Sequence, residues 1–377
     1  MKLPAQPPGA KAPTVGRWIW TCRASFEPYL YEELAWRHGK PVVIGPGLVE
    51  SNALPSGTPF PAFARAGFKI DAVVQSEDEL VGAVAEKVKE LVGRAEARPD
   101  GHQRNGFGDE AAEERASEMP RGSPAEKPGP TSLHVHAWAS DTDAGNALAD
   151  EVRAVSEQVA AALGRRAVDS FALVRNAGGK VLQLCIVSTD IAAIGLQHPT
   201  DALSPAPGGR HRMWRESSTS RAAMKLEEAL ESLPIAPGRG DLCVDLGAAP
   251  GGWTERLLAR GARVVAVDPA NMAPELQKHP KLRHVKDSAF AYEPDEPADW
   301  LFCDMAWRPL EVAALLAKWG RRGWASQLVA NIKLPMNDKN PILHRVRFVL
   351  ETHGGWKKLQ IRQLYHDRDE VTVTAIH

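Results

Sequence analysis

Within Asp245–Asp268, DLGAAPGGWTERLLARGARVVAVD, an apolar run gives way to a glycine-rich turn, a helical stretch, a second apolar run and an acid. Turns of this kind hold a dinucleotide, a nucleoside triphosphate or something smaller. A pyrophosphate calls for G-x-G-x-x-G, so that backbone amides can approach it. Here the turn is Gly247-Ala248-Ala249-Pro250-Gly251-Gly252, and Pro250 has no N–H to offer. The Lys-Ser/Thr ending of a phosphate-binding P-loop is replaced by Trp253-Thr254. A tight turn against an uncharged sugar and a methionine moiety fits better. Asp268 ends the next strand, about 20 residues on, where an acid binds ribose hydroxyls. Asp287, in VKDSAF, is placed to accept from an adenine amino group, and Asp304, in CDM, closes a further strand at the same edge. Any one aspartate is as readily a strand-end cap. Three at successive strand ends beside a glycine turn favour a site.

These residues need a sheet that brings its strand ends together. From Ser220 the pattern is regular: a helix over SRAAMKLEEALESL, then short strands LCVDLG, RVVAVD, ADWLFCDM and QLVANIKLP with helical segments between most of them. Runs apolar on both faces and linked by crossovers predict a parallel, doubly wound α/β sheet. The ending, KLQIRQLYHDRDEVTVTAIH, is two adjacent strands with a short connection, hence an antiparallel hairpin. A Rossmann-like sheet finishing this way is the layout of S-adenosyl-L-methionine (SAM)-dependent methyltransferases.

The preceding residues read differently. A polar tail covers 1–16. Across 17–200 short strands and helices alternate in an α+β pattern. RWIWT is a strand, and the helix after it sets Phe26, Leu30 and Leu34 at helical spacing, with Glu27, Glu32 and Glu33 on the polar side. Strands are predicted in PVVIGPGLVES and FARAGFKIDAVV. SEDELVGAVAEKVKELVGR is an amphipathic helix with Ser76 as N-cap and Glu79 as its capping-box partner. Residues 95–131 are polar, Pro- and Gly-rich and aperiodic, a disordered surface insertion. Strand SLHVHAWASD, helix ADEVRAVSEQVAAALG and strands FALVRN and KVLQLCIVST follow. The linker, 201–219, carries Arg210, His211, Arg212, Trp214 and Arg215, with Arg221 just beyond it. Arginines with an interleaved tryptophan suit RNA phosphates and bases; a solvated linker with chance charges fits equally well.

A net charge of -1 excludes a generally basic surface but not a local basic patch. No stretch approaches the ~18 apolar residues of a membrane span, and the N-terminus lacks a secretory signal pattern. The four cysteines, Cys22, Cys185, Cys243 and Cys303, each sit inside an apolar run without metal-ligand spacing. Buried thiols in a reducing, cytoplasmic setting are expected, with no metal.

DLGAAPGGWT, CDM, NIKLPM and LYHDRDEVTV resemble the RrmJ/FtsJ-type RNA ribose 2'-O-methyltransferases. More closely, they resemble the M-type (RlmM-type) enzymes of large-subunit ribosomal RNA, which modify a cytidine. TCRASFEPYLYEEL, FARAGF and SRAAMKLEEA extend the likeness over most of the chain. The resemblance implies a ferredoxin-like segment and a THUMP-type RNA-binding domain ahead of the methyltransferase domain, SAM as cofactor and large-subunit rRNA as partner. It implies a catalytic tetrad of Lys225, Asp304, Lys333 and Glu370. It also implies cofactor contacts at Ser220, Gly247, Ala249, Pro250, Gly251, Gly252, Trp253, Asp268, Asp287 and Asp304.

The chemistry suits these types. A sulfonium donor needs no acid for its leaving group; the ribose 2'-OH must lose a proton. A buried lysine beside another cation has its pKa pushed down and can take that proton. Lys333 is the expected base and Lys225 the second cation, with Asp304 and Glu370 holding the ammonium groups. Each lysine also has a plain reading: Lys225 as an i,i+3 neighbour of Glu228, and Lys333 as a chance charge, though it ends the apolar run LVANI. Glu370 reads equally as the solvated start of the last strand. Two rival functions stand beside methylation: a non-catalytic RNA-binding or ribosome-assembly protein with a relic SAM pocket, and an NAD-dependent oxidoreductase, against which Pro250 and the terminal hairpin count.

Overall fold

A computed structural model describes residues 10–54, 59–96, 133–164, 167–168, 179–204, 206–210 and 221–377. The insertion beyond residue 96, strand FALVRN, Ser220 and the linker residues from His211 onward lie outside the described residues.

The first sheet is antiparallel, in the order β2-β3-β1-β4. Its strands are β1 (Trp18–Thr21), β2 (Val42–Gly45), β3 (Leu48–Ser51) and β4 (Ala66–Lys69), with helix α1 (Glu27–Trp36) between β1 and β2. Proline in the first turn of α1 loses no helical bond, because those N–H groups are unpaired anyway. Leu30 and Leu34 are fully buried, as their spacing requires, but Glu27 and Glu33, expected on the polar side, are only 4% and 1% exposed. Each carboxylate serves a neighbouring backbone. Glu27 Oε1 accepts the Gly47 N–H at 2.7 Å, and Glu33 Oε1 accepts the Ala62 N–H and an Arg37 N–H, both at 2.9 Å. Buried polar groups persist when so paired, and apolar periodicity does not report it.

A second sheet, ordered β5-β9-β8-β6-β7, is mixed. It comprises β5 (Ala72–Gln75), β6 (Leu133–Trp138), β7 (Ala167–Val168), β8 (Lys180–Ser188) and β9 (Ile191–Gln197). Helices α2 (Leu80–Glu96) and α4 (Ala149–Leu163), with the short α3 (Asp143–Asn146), accompany it. Val84, Val88 and Val92 of α2 and Val155 and Val159 of α4 pack on Leu182, Leu184 and Ile194. Ser76 Oγ accepts the Glu79 N–H at 3.2 Å, just ahead of the helix. Strand β9 is an addition to the expected elements: IAAIGLQ, with two alanines and a glycine, has little strand propensity and is held by its neighbours β5 and β8.

The third sheet is the expected doubly wound one, with seven strands in the order β12-β11-β10-β13-β14-β16-β15. Strands β10 (Leu242–Leu246), β11 (Arg263–Val267), β12 (Leu282–Val285), β13 (Ala298–Cys303) and β14 (Ala325–Lys333) run parallel. Strand β16 (Glu370–Ile376) inserts antiparallel between β14 and β15 (Lys357–Arg362), so the hairpin is part of the sheet. Side chains alternate between two cores. Val244, Leu301 and Leu328 face Leu316 of α7 (Pro309–Arg321) and Leu343 of α8 (Lys339–His353). Cys243, Phe302 and Val329 face Leu226 of α5 (Arg221–Glu231) and Leu257 of α6 (Gly252–Ala259). Strand order reverses between β10 and β13, which opens a crevice at their carboxyl ends, where ligands of such sheets bind.

Phe26, Leu30 and Leu34 belong to the same apolar core as Leu343 and Val346, so α1 packs on α8. The Gln363 N–H donates to Ala62 O at 2.6 Å, which ties the first segment to the β15–β16 connection. All four thiols are buried and unpaired, and burial pushes that of Cys303 up to about 12. No helix among the described residues is long and apolar enough to cross a membrane.

Candidate active site

The glycine turn leaves β10 at the crevice and opens α6. Gly247 has φ +76°, and a Cβ there would stand 2.3 Å from Met305 Cγ; Gly251 has φ +120°, and its Cβ would stand 2.3 Å from Leu276 Cδ1. Only glycine allows the turn to close so tightly against its neighbours. Asp268 braces it: Oδ2 accepts the Ala249 N–H at 3.1 Å, and Oδ1 accepts the Ala270 N–H at 2.7 Å. Pro250 is exposed and Gly252 begins α6. Asp287 is exposed just beyond β12, the edge strand of the sheet, its Oδ1 taking the Ser288 N–H at 2.7 Å.

Trp253 plays a different part from the one its position suggests. Its indole is buried in the core between α5 and α6, and Nε1 donates to Ala222 O at 2.8 Å. Its side chain is a packing element, leaving only its backbone amide to serve a ligand.

Asp245, inside LCVDL, was not among the expected site residues. It is buried and accepts the Thr254 hydroxyl at 2.7 Å. Burial pushes its carboxyl up to about 7, the Thr254 bond opposes this, and the charges of Asp304 and Asp268 add to it. Three acids therefore feel one another at the crevice, and such a site attracts cations and hydrogen-bond donors.

The tetrad residues come from four different elements, α5 and the ends of β13, β14 and β16, and meet. In the β14–β16 ladder Lys333 lies opposite Glu370 and Asn331 opposite Thr372. Lys333 Nζ pairs with Asp304 Oδ1 at 2.7 Å and with Glu370 Oε2, and Glu370 Oε1 pairs with Lys225 of α5. The charges alternate: Lys225, Glu370, Lys333, Asp304. Glu370 is 5% exposed, which excludes a solvated strand start. Lys333 is the most open of the four, with its side chain 31% exposed, so a substrate can reach it.

The electrostatics differ from the expectation for Lys333. Burial alone lowers its pKa, but the carboxylates of Asp304 and Glu370 outweigh burial and hold it above the ordinary lysine value. Burial raises the Glu370 carboxyl, yet the two lysines bring it below the usual carboxylate range. In the resting cluster Lys333 is a locked ammonium. The lysines do not sit as adjacent cations; Glu370 separates them.

Behind the tetrad lies a layer that residue types alone did not reveal. Asn331 Nδ2 donates to Asp304 Oδ1 at 3.3 Å, and the Thr372 hydroxyl donates to Asn331 Oδ1 at 2.8 Å. Buried Asp367 lies 3.0 Å from that hydroxyl, and its Oδ2 accepts the Leu364 N–H at 2.9 Å. Burial, with the nearby Glu370 charge, pushes the Asp367 carboxyl well above its ordinary range. Glu228, one turn beyond Lys225, does not pair with it as the plain reading had it. It accepts the N–H groups of Tyr365 and His366 at 2.6 and 3.1 Å. Helix α5 thus grips the β15–β16 connection in two places. The available signals were the i,i+3 spacing and the polar density of LYHDRDEVTV.

Residues 218–318 match the family model described as FtsJ-like methyltransferase. A ribosomal RNA large subunit methyltransferase M of Laribacter hongkongensis is 40% identical over 203 residues, 51% of this chain and 57% of that protein. Proteins of the same name from Xylella fastidiosa (37% over 201 residues, 52% and 57%) and Marinomonas (40% over 176 residues, 44% and 50%) are also similar. The matched region thus spans little more than half the length of these relatives. The FtsJ-like match takes in Lys225, the glycine turn and Asp304 and ends before Lys333 and Glu370. Those two enter the site through β14 and β16, and the ladder register brings them together.

Proposed function

We propose that this protein transfers a methyl group from SAM to a ribose 2'-OH of RNA, specifically a cytidine of large-subunit rRNA, in the cytoplasm. The observation that carries this reading is the alternating chain Lys225–Glu370–Lys333–Asp304 beside a glycine turn at the sheet's switch point. The similarity to large-subunit methyltransferases M supplies the RNA class. The turn fits the cofactor: Gly247 and Gly251 leave no room for side chains, and each Asp268 oxygen, with one backbone donor, keeps capacity for a ribose hydroxyl. Asp287 is the acid this reading assigns to the adenine amino group. SAM supplies a methyl group on a cationic sulfur.

The chain's own residues manage the proton. Lys333 must be neutral to act as base, and two carboxylates hold it charged. Asp304 would share its charge with a cationic methyl donor held beside it, which would weaken its hold on the Lys333 ammonium and lower the Lys333 pKa. Neutral Lys333 would take the 2'-OH proton as the oxygen gains the methyl group and the methyl–sulfur bond breaks, the sulfur leaving as a neutral thioether. Lys225 keeps Glu370 ionised and in place. Holding oxygen, methyl and sulfur in line supplies much of the remaining acceleration. The first 200 residues, which we read as a ferredoxin-like segment followed by a THUMP-like unit, select the RNA together with the arginine-bearing linker. Mapping ribose methylation in rRNA from cells with and without the gene tests the assignment. Loss of one 2'-O-methylcytidine is expected; an unchanged methylation map would overturn it.

A further inference from the structure

Lys339 opens α8 six residues after Lys333, yet it is only 1% exposed. An ammonium has three N–H donors and no acceptor. Here Nζ meets Pro335 O at 3.0 Å, Met336 O at 2.5 Å and Asp369 Oδ1 at 2.9 Å. The rings of Phe26 and Tyr29 lie 5.3 and 4.9 Å from the same nitrogen. Burying a lone ammonium is costly; three oxygens and two aromatic faces compensate this one.

The origin of these partners is informative. Pro335 and Met336 stand two and three residues after Lys333, and Asp369 directly precedes Glu370. The backbone repeats the link, with the Leu334 N–H donating to Asp369 O at 2.7 Å. The rings come from α1 and the turn before it. Asn340, the next residue, donates from Nδ2 to Tyr29 O at 3.0 Å and to Glu32 Oε2 at 2.8 Å. Arg23 adds a donor to Asp367 O at 2.7 Å.

We propose that Lys339 is a positioning residue for the methyl transfer. It clamps the segment after Lys333 to the segment before Glu370, and it enlists α1 as the far wall of the clamp. The first segment of the chain is then part of the scaffold of the reacting cluster, besides any role in RNA selection. The kinetic side of this proposal rests on the function proposed above; the structural side does not.

The test uses the full-length protein with Lys339→Met, Lys339→Arg and Asp369→Ala. Methionine keeps much of the packing volume and removes the charge; arginine keeps the charge. Lys339→Met should lower kcat by tenfold to a hundredfold, on the order seen for small misplacements. Its KM for rRNA and its SAM affinity should stay within about twofold, because uniform binding is untouched. Lys339→Arg should restore most of the rate. Amide hydrogen exchange should rise across 334–338 and 367–370 in Lys339→Met. Unchanged exchange overturns the proposal whether or not the protein methylates RNA, and so does a raised KM with kcat intact. Risen exchange in a chain whose parent shows no activity supports the clamp and counts against the function alone. If Lys339→Met does not fold, Asp369→Ala, at a half-exposed site, should show the same two changes, and parental values in it overturn the proposal.

Discussion

Glu370 divides its two carboxylate oxygens between two lysines, Oε1 to Lys225 and Oε2 to Lys333. Glu370 therefore sets the lysines' spacing and separates their charges. Lys333 can act only after the field of its two carboxylates is relieved. Lys333→Ala should abolish methyl transfer to rRNA while leaving SAM binding nearly intact, by radiolabel transfer and calorimetry respectively. Lys333→Arg should be equally inactive, since a guanidinium does not give up its proton. Full activity in either variant would remove Lys333 from the role of base.

Asp245 gives the apo protein a pH signature. Its carboxyl is pushed up to about 7 from an ordinary 3.8. A raised carboxyl retains its proton when folded after the unfolded chain has lost its own, so its contribution falls as pH rises through this window and stays low above it. Asp245→Asn should thus gain thermal stability over the parent progressively from about pH 4 to pH 8, by up to a few kcal/mol. Parallel melting curves across that range would show instead that Asp245 is not perturbed.

Thr372 is a probe of the layer behind the tetrad. Thr372→Val removes the hydroxyl bonded to Asn331 and leaves the strand shape alone. Asn331 then loses its tether and Asp304 loses a fixed donor. The expected loss in kcat is on the order of tenfold, one good hydrogen bond, with KM for RNA little changed. An unaffected kcat would make the layer purely structural.

Gly251 tests the turn. At φ +120°, with Leu276 Cδ1 2.3 Å from where a Cβ would stand, Gly251→Ala is strained by its backbone and its neighbour alike. A cost of about 1–3 kcal/mol is expected, along with weaker SAM binding by titration and a melt that shifts down. Parental affinity and melting temperature would contradict the close packing of this loop.

The doubly wound sheet was legible because β10, β11, β13 and β14 are short apolar runs ending in recognisable residues, and because HDRDEVTV announces an antiparallel finish; β12, LRHV, is no such run. The tetrad residues were legible as types. Their pairing was not: that Lys333 faces Glu370 is a matter of register between strands separated by a helix and another strand. The direction of the Lys333 shift was misjudged for the same reason, since it depends on which charge is nearest. Trp253 was read from the turn it follows, but its indole answers to Ala222 on another helix. Glu27 and Glu33 were assigned to solvent by helical spacing, whereas partners distant in sequence keep them inside. Strand β9 is weak in composition and exists through its neighbours.

Strand β16 is synthesised after every other strand of its sheet, yet it occupies a place between β14 and β15. While the chain is still growing, β15 has no partner on that side, and Lys225 and Lys333 lack the carboxylate that sets them apart. A nascent polypeptide that already holds the glycine turn therefore has no assembled cluster. Competence arrives in one step, when Glu370 slots in across from Lys333.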